Sequence, residues 1–146
     1  MATITTLLTT LVDEMKDKIN TANDAYPYRT DPNEIYQGLK ALTDVRAFPV
    51  ICCELGEEEL TEYFGDSGHG IARIIVYGYS ETDNVDNRNT IRDLAHDALY
   101  FLFNSYTYAS DIMNFSSIEY FPGTAGRPAG FLFDFEVKYE FTNTNI

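Results

Sequence analysis

The sequence predicts an α+β domain: two amphipathic helices packed on one face of a four-stranded, mostly antiparallel sheet built from two hairpins, in the order helix, strand, strand, helix, strand, strand. Three observations predict it. Two stretches place apolar residues at i, i+3, i+4 and i+7, the stripe of a helix that buries one side. Four shorter stretches are apolar or alternate with period two, as strands do. The strands come in consecutive pairs, and a pair joined directly closes as an antiparallel hairpin. The 146 residues suit one domain with one core, 1–146, which buries roughly 68–70% of the surface of the unfolded chain.

From Thr3 to Asn20, the residues Ile4, Leu7, Leu8, Leu11, Val12, Met15 and Ile19 form the first stripe, with Thr3 as N-cap and Asp13, Glu14, Lys16, Asp17 and Lys18 off it. Residues 21–43 contain Pro27, Pro32 and Gly38 and read as a partly irregular arm. A short helix is possible between Asp31 and Leu42, with Asp31 as cap and Pro32 in first position. Connections of this length tend to be functional arms or lids, and Tyr26, Tyr28 and Tyr36 can anchor it to its own body or to a partner. Ala47–Glu54 reads as a strand in which Pro49 marks an edge or an irregular pairing. After an excursion at 56–70, Ile71–Tyr79 is a strand apolar on both faces apart from Arg73, and the two form an extended hairpin. Ser80–Asn87 is a polar loop whose Asp86 or Asn87 caps a helix from about Arg88 to Asn104. Its stripe is Ile91, Leu94, Ala95, Ala98, Leu99, Leu102 and Phe103. Phe115–Phe121 and Gly130–Thr142 make the second hairpin, turned at Pro122-Gly123 and Gly126-Arg127-Pro128. The last strand alternates cleanly: Phe131, Phe133, Phe135, Val137, Tyr139 and Phe141 on one face, Asp134, Glu136, Lys138 and Glu140 on the other.

Ten Lys and Arg against 23 Asp and Glu give a net charge of −13. A binder of DNA or RNA backbone needs a basic footprint, so that class is excluded, and an anionic membrane surface is disfavoured for the same reason. Eleven Tyr and ten Phe within 45% hydrophobic content place the acidity on a folded body. No apolar run nears the roughly 20 residues that span a bilayer, and Met1–Thr6 lacks the basic start of a signal peptide. A soluble protein made in a cytoplasm is expected. Cys52 and Cys53 are adjacent, point to opposite faces of a strand, and read as small buried hydrophobes in a reducing compartment.

No arrangement points to catalysis, a cofactor or a metal. His69 lies in a Gly-rich hairpin loop and His96 off the stripe of the second helix, and no three or four ligands share a zinc spacing. Glu57-Glu58-Glu59 lacks the calcium-loop pattern and reads as a solvated face. Gly65-Asp66-Ser67-Gly68-His69-Gly70 resembles a phosphate loop only superficially, because no Lys follows and a strand, not a helix, comes next. Ser67 lacks a nucleophile elbow. The expectation is a non-enzymatic assembly component, with Tyr63, Phe64, Tyr106 and Tyr108 as candidate interface aromatics.

Several stretches carry a resemblance. An opening amphipathic helix, Arg46-Ala47-Phe48-Pro49-Val50, Ile74-Ile75-Val76-Tyr77-Gly78-Tyr79 followed by Asn89-Thr90-Ile91-Arg92-Asp93-Leu94, and the closing Phe133-Asp134-Phe135-Glu136-Val137-Lys138-Tyr139 together resemble the phage tail terminator family, the tail-completion proteins of long-tailed phages. The resemblance lies in length and element order over most of the chain. It implies a homo-hexameric ring at the head-proximal end of the virion tail. Such a ring caps the tail tube protein, ends its polymerisation and meets the head-completion (stopper) protein, while DNA passes through the lumen without specific binding. On that reading the arm at 21–43 and the excursion at 56–70 make the subunit or tube contacts, through Glu57, Glu58, Glu59, Tyr63, Phe64, Tyr26 and Tyr28. Alternatives are another neck protein, an acidic nucleic-acid mimic that occupies the basic groove of a DNA-binding enzyme, or a small enzyme of unrecognised type.

Overall fold

Thr3 opens the first helix as expected. The structure, a computed structural model, describes residues 2–19, 28, 30, 32, 34–38, 48–82, 85–123 and 128–142, and its first helix, α1, runs Ile4–Lys18. The hydroxyl of Thr6 accepts from the Thr3 N–H at 3.3 Å and so satisfies a donor that the helix leaves unpaired. The stripe faces inward: Leu7, Leu11, Val12, Met15 and Ile19 are all buried. The second helix, α2, runs Val85–Asn104 and buries Ile91, Leu94, Ala95, Ala98, Phe101 and Leu102. Phe103, expected in that stripe, is 50% exposed. The buried face is centred on Leu94, Ala98 and Phe101, and 100° per residue carries Phe103 round to the opposite side of the helix from Leu94.

The strands are β1 (Ala2–Thr3), β2 (Glu34–Gln37), β3 (Val50–Tyr63), β4 (Ser67–Thr82), β5 (Ile112–Phe115), β6 (Glu119–Phe121) and β7 (Pro128–Thr142). The first expected hairpin, β3 with β4, is present. In the second, the expected single strand Phe115–Phe121 is instead two short strands, β5 and β6, separated by residues 116–118 and both paired with β7. β4 pairs with β7 in antiparallel register to join the two halves. The sheet departs from the expected four strands in being mixed. Its order is β1-β7-β4-β3-β2, with parallel pairs at both edges: Ala2 opposite Tyr139, and Glu34 opposite Val50. Strands of two and four residues are too short to display a period, and their partners lie far away in sequence. One consequence is that β6, β5 and β1 in turn cover the outer edge of β7.

Three further expectations are corrected. Where a helix was expected between Asp31 and Leu42, residues Glu34–Gln37 form a strand. Pairing with β3 and burial of Ile35 outweigh a local cap signal, and the strand ends where Gly38, at φ +88°, donates its N–H to the Cys53 carbonyl. The excursion at 56–70 is no loop: β3 and β4 run on through it to a tight turn at Phe64-Gly65-Asp66. The loop after β4 is also shorter than Ser80–Asn87, since β4 extends to Thr82 and α2 begins at Val85. The turn at Gly126-Arg127 lies outside the described residues, and Pro128 opens β7.

Both helices cover the face of the sheet that carries Ile51, Cys53, Ala72, Ile74, Val76, Phe131, Phe133, Phe135 and Val137. Polar ties lock the layer. The Tyr106 hydroxyl donates to the Leu7 carbonyl at 2.9 Å, and Thr107 donates its N–H and hydroxyl to Glu14. Asp97, fully buried on α2, accepts the Thr30 N–H at 2.8 Å and the Thr30 hydroxyl at 2.5 Å through one oxygen. With Tyr28 packed edge-on against Tyr100 at 6.0 Å, this holds the described part of the arm to the helix layer.

Candidate interaction surfaces

Glycines facing aromatics recur along the β3–β4 hairpin, from its base to its outer half. On the helix-side face of β4, Gly68, Gly70 and Gly78 stand directly opposite Phe141, Tyr139 and Phe131 of β7. Each ring lies over the bare Cα: a Cβ at Gly78 would come within 1.9 Å of Phe131, and one at Gly70 within 2.6 Å of Tyr139. Such ring-on-glycine pairs cover strand positions that have no side chain to pack. At Gly68 and Gly70 they continue the apolar face toward the hairpin tip.

Two register shifts in β3 decide what this face presents. Between Leu55 and Glu58, and again between Leu60 and Glu62, an extra residue enters β3. Glu58, Leu60 and Tyr63 thereby come opposite Ala72, Gly70 and Gly68, on the helix-side face, while Glu59 and Glu62 pair with Ile71 and His69 on the other. The result is a groove of about 570 Å³ lined by Ile4, Glu58, Leu60, Tyr63, Tyr139 and Phe141. Tyr63 stacks on Phe141 at 6.2 Å and its hydroxyl donates to the Gly65 carbonyl. Gly65 is at φ +88°, where the turn favours a residue without a Cβ, and the Phe64 N–H donates to the Ser67 carbonyl. Leu60, Tyr63 and Phe64 are 56%, 64% and 65% exposed. Beyond Cys53 no described strand lies on the outer side of β3, so the acidic run Glu57-Glu58-Glu59 borders an open sheet edge. Charge there deters unspecific strand pairing.

A second apolar surface lies along the other edge. Phe103 meets Phe115 at 5.9 Å and Phe115 meets Phe133 at 5.1 Å, with Met113, Tyr120 and Phe121 also exposed. The Phe121 ring covers Gly130. A groove of about 210 Å³ opens here, lined by Ile91, Arg92, Tyr120, Phe121, Pro122 and Ala129. Burial pushes the Tyr120 hydroxyl above its ordinary pKa, and the Arg92 charge pulls the other way.

The face of the sheet away from the helices is mixed in sign. Arg73 pairs with Asp134 at 2.7 Å, Lys138 stands among Glu136 and Glu140, and His69 Nε2 is 4.0 Å from Glu62 Oε2. Among the described residues no group of three His, Cys, Asp or Glu could hold a metal ion, and no helix is long and apolar enough to cross a membrane. Cys52 and Cys53 are buried free thiols, and burial pushes the Cys53 thiol far up.

Of the candidate contact residues, Glu57, Glu58, Glu59, Tyr63 and Phe64 are brought together on the hairpin. Tyr28 is placed elsewhere, buried against Tyr100, so it anchors the arm to its own body. Tyr26 lies outside the described residues. Tyr106 is buried and Tyr108 half-buried beside it. Sequence reasoning missed Leu60, Arg92, Tyr120 and Phe121. The Gly68/Gly70 spacing against Phe141/Tyr139 was the available signal for the groove. No family model matches the sequence, and no curated protein is significantly similar to it.

Proposed function

We propose that this chain is a structural assembly protein of the tail-terminator type. In this reading six copies form a ring that caps a tail tube, ends its polymerisation and offers a surface to a head-completion protein. The observation that carries the reading is the β3–β4 hairpin, which holds Leu60 and Tyr63 on paired strands, and Phe64 in the turn that joins them, exposed to solvent. Exposed apolar side chains on a rigid element suit a partner surface, because little entropy is lost when they are covered. The charge of −13 fits a protein beside passing DNA, since like charge keeps phosphates from adhering to a lumen. A nucleic-acid mimic has less support, because Arg73 and Lys138 interrupt the acids of the outer sheet face.

The test is imaging by negative stain with mass from light scattering, on the chain alone and with tube protein. Six-fold rings or capped tubes of uniform length support the reading. A monomer that never caps tubes and inhibits a DNA-binding enzyme overturns it in favour of the mimic. Deletion of residues 57–68 is expected to abolish ring formation and capping, and survival of both would remove the hairpin from the contact.

A further inference from the structure

The two grooves share a composition and differ in sign. Among the described residues the hairpin groove has one ionisable carboxylate, Glu58, among Ile4, Leu60, Tyr63, Tyr139 and Phe141. Among the described residues the edge groove has one cation, Arg92, among Ile91, Tyr120, Phe121, Pro122 and Ala129. Glu58 and Arg92 are both exposed, and among the described residues neither forms an ion pair within its own chain. The grooves also lie at opposite ends of the longest pairing in the sheet. Ala129 lies near the start of β7, at the Arg92 groove, and Tyr139 and Phe141 near its end, at the Glu58 groove. At roughly 3.3 Å per residue the ends stand about 40 Å apart.

We infer that copies of this chain associate head to tail, the Glu58 groove and hairpin tip of one copy docking on the Arg92 groove of the next. A two-fold contact of either groove with itself gathers two like charges in one apolar interface, with no opposite charge among the described lining residues to pair them. Opposite single charges in apolar settings select the unlike pairing and fix its register. Leu60 and Phe64 supply apolar anchors from the tip, and Tyr120, Phe121 and the guanidinium of Arg92 receive them, side chains of the kind interface centres favour. A contact between two different patches closes into a ring or runs on as a filament, according to its rotation. The occupant is thus a second copy of the chain, and only the choice of ring over filament rests on the function proposed above.

The experiment is a charge exchange read by analytical ultracentrifugation. Glu58→Lys and Arg92→Glu alter exposed side chains, so circular dichroism should show wild-type folding. Each alone is expected to weaken self-association about tenfold or more. The double variant regains it, and so does an equal mixture of the two single variants, since the mixture contains one unaltered and one exchanged contact. Unchanged association in the single variants, or no recovery in the double variant and the mixture, overturns the proposal. A wild-type chain that stays monomeric at the highest attainable concentration overturns it too, and leaves tube capping as the separate test of function. Recovery of open chains with no six-fold closure upholds this contact and counts against the ring.

Discussion

Asp97 and Gly78 show how single residues carry this structure in opposite ways. The carboxylate of Asp97 is fully buried and accepts two hydrogen bonds from Thr30. Asp97→Ala leaves two buried donors without their partner and is expected to cost about 2–3 kcal/mol. Urea unfolding checks it as a lowered midpoint with an unchanged slope. Gly78 has no room for a Cβ beneath Phe131, whereas Gly65 has open space but φ +88°. Gly78→Ala therefore overpacks the core and is expected to lose roughly 1–3 kcal/mol. Gly65→Ala strains only the turn, by about 1 kcal/mol, and thermal melts of the two variants should rank in that order. Neither role was legible beforehand. Asp97 looks like any polar residue of a helix flank, and nothing local says that Thr30, 67 positions away, comes to meet it. Gly78 sits inside an apolar run, and its ring partner on β7 is known only once the register is.

Among the elements, the β3–β4 hairpin depends most on long-range pairing. Its base lies under the helices, and its outer half has described strands on one side only, with the Gly68 and Gly70 ring pairs packed there. Leu60→Ser and Phe64→Ser remove exposed side chains, so stability is expected to stay within about 0.5 kcal/mol of wild type. Self-association should fall, and sedimentation beside a chemical melt separates the two effects. Both helices and the last strand were legible as elements, because Leu7, Leu11 and Met15, or Phe131 through Phe141, repeat over enough residues to show a period. The hairpin tip was misread as a loop. Gly65, Gly68 and Gly70 punctuate the local pattern, and two bulges break the alternation that marks a strand. The aromatic rings that make those glycines acceptable in a strand come from β7.

For the whole molecule, the buried ionisable groups make stability fall in alkali. Burial raises the Cys53 thiol above its ordinary 9.0 and the Tyr106 hydroxyl above its ordinary 10.0, the latter helped by Tyr108 and Glu14. The folded state thus keeps both protonated where the unfolded chain ionises. Their contribution is complete below about pH 9 and is lost as pH rises, each group subtracting about 1.4 kcal/mol per unit once the unfolded chain titrates. Chemical denaturation from pH 7 to 11 should show the decline setting in near pH 9, and Cys53→Ala should postpone it toward pH 10. The sequence by itself determined the α+β class, the two helices, both hairpins and the acidic surface, because helix stripes, strand alternation and net charge are local or additive properties. Only the tertiary structure decided the parallel edge strands β1 and β2, the placement of Glu58, Leu60 and Tyr63 on the helix-side face, and the two grooves of opposite charge. Those follow from register between segments up to 137 residues apart, as in Ala2 opposite Tyr139, and such pairing has no signature in either segment alone.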